Sequence, residues 1–271
     1  MKIGLFGIGS GICAEPQAAA EVAQHAEASG LDSLWTGEHV VLPEPRQAPS
    51  PADPEFAMLH PSTILAYVAG VTHSIRLGTG IVLIAQRNPV VLAKEMASLD
   101  VVSNGRLLLG IGAGYLHQEF DALGVPFSER GARTDEYVHA MRSLWNDDRP
   151  SFKGKFVSFD NVRAEPRPVQ VGGPPIIVGG SSNAAIRRTV EYAQGWYGFA
   201  LNVDQTRDVL RRLQEAGATD IEISVTPSVP INDDTVQAFS DIGVDRLISL
   251  VSQRSIERVK ETIDAISVYA S

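Results

Sequence analysis

Glu38 and His39 stand side by side at the end of a short apolar run, Ser33–Thr36, that reads as a strand. A carboxylate next to an imidazole at a strand end can exchange a proton with a substrate, because imidazole is the side chain that titrates nearest neutrality. The same pair can equally be structural. Gly179-Gly180-Ser181-Ser182-Asn183 lies between an apolar run and an amphipathic one. Glycines, hydroxyls and the free amides at a helix start form a cradle for an anion, and a capped turn uses the same residue types. Gly110-Ile111-Gly112-Ala113-Gly114 closes another strand-like run. Glycines there let a planar ligand approach the backbone, or they serve tight packing at the strand ends. The spacing departs from the G-x-G-x-x-G dinucleotide fingerprint, which belongs to a first βα turn.

The other titratable residues exclude several chemistries. There is no His-x-His or His-Glu-x-x-His spacing, so no metal site is expected. None of Lys2, Lys94, Lys153, Lys155 and Lys260 sits at the C-terminal end of a strand-like run, which argues against a Schiff-base enzyme. His60 precedes Pro61 as a capping candidate, and His117 opens a long segment that faces the same end as His39. His25, His73 and His139 fall on helices or helix ends and read as solvated. Cys13 is the single cysteine, a small apolar loop residue with no disulfide partner. What remains favours a cofactor that brings its own chemistry.

The elements that must position these residues alternate along the chain. Strand-like runs occur at Lys2–Gly7, Ser33–Thr36, Arg76–Leu83, Leu107–Gly112, Ile176–Val178, Trp196–Ala200, Glu222–Thr226 and Arg246–Val251. They are rich in Ile, Leu and Val without clean alternation, as strands buried on both faces are. Helical stretches lie between them at Glu15–Ser29, Pro61–Ala69, Pro89–Val102, Asn183–Ala193, Gln205–Ala216, Thr235–Asp241 and Ile256–Val268. Eight such units close most simply into an α/β fold, the (β/α)₈ TIM barrel, with a doubly wound open sheet as the alternative. Two segments exceed ordinary loops: the proline-rich Leu42–Leu59, and His117–Pro175 after the fourth strand. The second contains a helix near Thr134–Trp145 and a hairpin pattern at Ser151–Phe159. Both leave strand C-terminal ends, where barrel active sites lie.

A length of 271 residues suits one barrel domain, residues 1–271. The chain is 44% hydrophobic and 20% charged with a net charge of −9, which argues against a general nucleic-acid binder. No apolar run reaches membrane-spanning length and the start does not read as a signal peptide, so a cytoplasmic location is expected.

The run RLGTGIVLIAQRNPVVLAKEMASLDVVSNGRLLLGIGAGY resembles the central signature of the luciferase-like monooxygenase family. The likeness extends through AEASGLDSLWTGEHV, EFDALGVPFSERGARTDEYVHAMRSLW and FKGKFVSFDNVRAEPRPVQVGGPPIIVGGSS. In detail it is similar to the branch that uses coenzyme F420, a deazaflavin. The resemblance implies a barrel with an insertion near strand four, a homodimer, and hydride transfer between the deazaflavin and a small organic substrate. It implies that His39 handles the substrate proton and that Glu38, where Asp is usual, orients it or touches the ring. Thr79, Gly80 and Ile81 would form a bulge behind the ring, with a cis Gly80–Ile81 peptide. Gly112, Ala113 and Gly114 would end strand four beside the ligand. Gly179, Gly180, Ser181 and Ser182 would hold the cofactor phosphate. Tyr115 takes the place of the acid found in sugar-phosphate dehydrogenase relatives, and Gln194-Gly195 replaces a usual Asp-Gly. The rivals are an FMN-dependent monooxygenase on the same barrel, a catalytically silent flavin-binding protein and a cofactor-free isomerase.

Overall fold

The computed structural model describes residues 1–251 and 255–270. Its strands are β1 (Lys2–Phe6), β2 (Ser33–Thr36), β3 (Arg76–Thr79), β4 (Val82–Leu83), β5 (Leu107–Gly112), β6 (Phe152–Lys153), β7 (Ser158–Phe159), β8 (Ile176–Gly179), β9 (Gly195–Leu201), β10 (Glu222–Pro227) and β11 (Arg246–Leu250). Apart from the β6–β7 hairpin, these run in parallel in the order β3-β2-β1-β11-β10-β9-β8-β5-β4. The β3–β5 pairing closes the ring. The chain is therefore a closed (β/α)₈ barrel, and the open-sheet alternative falls away. The third stave is the run expected at Arg76–Leu83, broken in two by Gly80-Ile81.

The helices are α1 (Pro16–Ala28), α2 (Pro61–Ala69), α3 (Pro89–Val102), α4 (His117–Ala122), α5 (Arg130–Asn146), α6 (Asn183–Tyr192), α7 (Val203–Glu215), α8 (Asp233–Ser240) and α9 (Ile256–Ser267). Proline opens α1, α2 and α3 at a position where its missing N–H costs nothing. The Asn88 side chain caps α3, and Asn202 forms a capping box on α7. The segment after β5 holds α4, the expected longer helix as α5, and the expected hairpin as β6 and β7. α4 gave no signal in the sequence, since a six-residue helix is too short to show a period. Among the described residues no helix is long and apolar enough to cross a membrane.

The barrel interior is filled in layers. At the bottom, Arg246 is fully buried and paired with Asp32 at 2.7 Å, Ser224 Oγ at 2.9 Å and Glu222. Burial alone would push the Glu222 carboxyl up, but Arg246 and Lys2 hold it below its usual range. Above Arg246 lies Trp35, stacked on Tyr197 with ring centroids 5.5 Å apart. The indole is accommodated by glycines on both flanking strands. A Cβ on Gly78 would stand 2.5 Å from it and one on Gly4 3.2 Å. Phe6 and Ile81 pack against this cluster.

Closure rests on an unusually close approach. A Cβ on Gly110 of β5 would lie 1.8 Å from the Thr79 carbonyl oxygen at the end of β3. The Thr79 hydroxyl also donates to the Gly110 carbonyl at 2.7 Å. A Cβ on Gly112 would lie 1.8 Å from Ile81 Cδ1, so the Ile81 side chain already fills that space. Gly110 and Gly112 thus serve tight packing at the strand ends. Gly110→Ala is expected to destabilise the fold by at least about 1–3 kcal/mol, since backbone must shift to admit the methyl. Urea unfolding of the variant against the parent measures it.

Candidate active site

The C-terminal strand ends bring together His39, Tyr115 and Glu119. His39 follows β2, whereas Tyr115 and Glu119 lie between β5 and α5. The imidazole Nδ1 is 3.3 Å from Glu119 Oε2, and Nε2 is 3.3 Å from the Tyr115 hydroxyl. Glu119 is fully buried, and its other oxygen accepts the Val40 N–H at 2.5 Å. The Tyr115 ring meets the imidazole edge-on at 5.8 Å. Burial, and after it the Glu119 charge, pushes the Tyr115 hydroxyl pKa up, so the group stays protonated above its ordinary range.

Glu38 lies elsewhere. Its carboxylate accepts the Leu83 N–H at 2.7 Å, pairs with Arg87, and stands 3.5 Å from His60 Nε2. Among the described residues His39 is not one of its partners. The expectation that Glu38 orients His39 is thus corrected. Successive residues of an extended segment project to opposite sides, so neighbours in sequence face different surroundings. Glu38 instead braces the end of β2 against the far side of the β3–β4 bulge. His60 makes no side-chain cap on α2, and its ring sits between Ser62 and Arg87. His117 stacks on Phe127 at 3.4 Å and leaves His39 to Tyr115 and Glu119.

The bulge and the glycine loops are placed as follows. Thr79 is buried, and the Gly80–Ile81 peptide is cis, as expected from the resemblance. A Cβ on Gly80 would stand 2.8 Å from Phe6, and one on Gly179 2.9 Å from Ile81. Ile81 is therefore packed between the ends of β5 and β8. Ala113 is partly exposed beside Gly114. Gly114 has φ +82°, and its carbonyl accepts from Arg130 at 3.2 Å.

The loop at Gly179–Ser182 leads into α6. Ser182 caps the helix through Ala185 N at 3.2 Å. Gly180 has φ +103°, and a Cβ there would meet nothing nearer than Ala185 at 3.8 Å. Trp196 pins the loop by donating to the Gly180 carbonyl at 2.8 Å. The amides of Ser181, Asn183 and Ala184 donate to no partner among the described residues. Arg212 of α7 reaches the Ser181 carbonyl at 2.8 Å and Asn183 Oδ1 at 2.7 Å. Open space, unpartnered amides at a helix start and an adjacent guanidinium suit an anion such as a phosphate. The residues present therefore fit a phosphate-bearing cofactor. Arg212 carries no sequence signal, because it is one of several charged residues of α7 and stands next to Arg211.

Comparison with known proteins gives the family and the fold. A family described as luciferase-like monooxygenase matches residues 5–264. An uncharacterised protein of Mycobacterium tuberculosis is 29% identical over 260 residues, covering 92% of each chain. The oxygenase component of a flavin-dependent trigonelline monooxygenase from Acinetobacter baylyi is 33% identical over 161 residues, 58% of this chain and 41% of that one. Among solved structures, an F420-dependent secondary alcohol dehydrogenase with an F420–acetone adduct superposes with TM-score 0.79 at 18% identity, over 98% of this chain and 97% of that one.

Glu38→Gln keeps an oxygen for the Leu83 amide but removes the charge facing Arg87. It is expected to cost about 1–3 kcal/mol of stability, read as a lower midpoint in urea. The His39–Glu119 contact should be unaffected.

Proposed function

Because the chain belongs to the luciferase-like monooxygenase family, we propose that it is a coenzyme F420-dependent oxidoreductase moving a hydride between the deazaflavin and a small organic substrate. The observation that carries this reading is His39, held between buried Glu119 and the Tyr115 hydroxyl on the face where barrel active sites lie. Hydride transfer to or from a carbon–oxygen bond requires a proton to move at the oxygen, and this cluster is built to move one. When bound, the deazaflavin supplies or accepts the hydride.

The chain's own residues would do the rest. The Gly179–Ser182 loop and Arg212 would hold the phosphate, with Thr79, Gly80 and Ile81 behind the ring and Ala113 and Gly114 beside it. Glu38 would keep the bulge in place from its far side rather than act on the substrate. The wording around Gln86-Arg87-Asn88-Pro89 and Asp100–Arg106 supports the deazaflavin over FMN. The likeness to the flavin-dependent trigonelline monooxygenase favours a flavin, with FMN as the one to test, as the second reading.

Fluorescence titration with both cofactors separates the two. F420 is expected to bind more tightly, and equal or tighter FMN binding would move the assignment to a monooxygenase. His39→Ala is expected to lower turnover by ~10²–10⁴-fold while cofactor affinity stays within a few-fold. A loss smaller than tenfold would remove His39 from the chemistry.

A further inference from the structure

His39 is poorly placed to touch a substrate itself. Its side chain is 9% exposed, and both ring nitrogens are occupied, Nδ1 by Glu119 and Nε2 by the Tyr115 hydroxyl. Tyr115 is the exposed member of the three, at 46%, while Glu119 is at 0%. We propose that Tyr115 is the residue that exchanges the proton with the substrate, that His39 is the relay behind it, and that buried Glu119 is the positioning residue that sets the imidazole tautomer. This rests on the hydride-transfer reading above.

The tautomer follows from the donors and acceptors. Val40 N–H donates to Glu119 Oε1, leaving Oε2 as an acceptor facing Nδ1. An ionised carboxylate can only accept, so Nδ1 carries the hydrogen and Nε2 is left bare. A bare Nε2 accepts from the Tyr115 hydroxyl, the geometry of a three-member proton chain. In the oxidative direction a bound deazaflavin would supply the hydride acceptor, and the chain's residues handle the proton. The substrate hydroxyl proton passes to the Tyr115 oxygen as the Tyr115 proton passes to Nε2. The product is a carbonyl compound and an imidazolium beside the Glu119 carboxylate. Reduction runs the same transfers backwards. The raised Tyr115 pKa agrees with a hydroxyl that holds its proton until a partner takes it.

Two variants test the chain, each read in two ways. Tyr115→Phe keeps the ring and removes only the hydroxyl. Turnover of a panel of ketones with reduced F420, and of alcohols with oxidised F420, should fall by ~10²–10⁴-fold with F420 affinity unchanged. In cofactor-free protein labelled with ¹⁵N-histidine, the same variant should shift the His39 Nε2 resonance. Glu119→Gln should do more. Its amide oxygen stays with Val40 N–H, so the NH₂ group faces Nδ1 and the hydrogen moves to Nε2. The ¹⁵N spectrum should show the opposite tautomer, and turnover should fall with it. The double variant should be no slower than the slower single, since both break one chain. Tyr115→Phe turnover within threefold of the parent, or an unchanged Nε2 resonance, overturns the relay and leaves the hydride reading intact. A parent enzyme that turns over nothing with F420 overturns the hydride reading, and the spectra of the cofactor-free protein then decide the relay geometry alone.

Discussion

The contact between the end of β3 and the middle of β5 governs the upper half of this barrel. The Thr79 carbonyl occupies the place a side chain would take on Gly110, and Ile81 occupies the place of one on Gly112. Only glycine at both positions lets the third stave close against the fourth while breaking into a bulge above the contact. That bulge sends the Leu83 amide towards Glu38 and packs Ile81 against the ends of β5 and β8. Protein interiors are too tightly packed for such a crossing to relax by degrees. The strand ends around it are consequently fixed relative to one another, which is what a site assembled from several staves requires.

The two acidic residues at the mouth show how placement divides labour. Glu38 and Glu119 are both buried carboxylates, and each accepts a backbone N–H. Glu38 is neutralised by Arg87 and spans the bulge, a structural use of charge. Among the described residues Glu119 pairs with no Lys or Arg, and its second oxygen faces the His39 imidazole. A buried carboxylate left to an imidazole is a means of orienting it, since the acceptor dictates which nitrogen keeps the hydrogen. The adjacency of Glu38 and His39 in sequence pointed to the first of these residues, and the fold supplied the second.

The Gly179–Ser182 loop follows the same logic on the other side of the mouth. Its glycines and serines are local and visible, yet the cation beside it comes from the next helix. Arg212 reaches across from α7 to two groups of the loop. The Trp196 indole holds the loop carbonyl from β9. The turn is thereby held from two neighbouring elements, α7 and β9.

The sequence by itself determined the eight alternating units, their near-continuous apolar strands, the helix starts at proline and asparagine, and the glycines at strand ends. These are properties of a few consecutive residues, and they impose periods and caps wherever they occur. Through its resemblance to a family it also carried the bulge at Gly80-Ile81 and the loop at Gly179–Ser182. Only the tertiary structure decided which carboxylate serves His39. Glu119 lies 80 residues away and arrives by the pairing of parallel staves, with β5 reaching the mouth beside β3. Side-chain partnership at a barrel mouth depends on register and on the direction each residue leaves its strand. Both are set by closure of the whole sheet, and no local pattern encodes them.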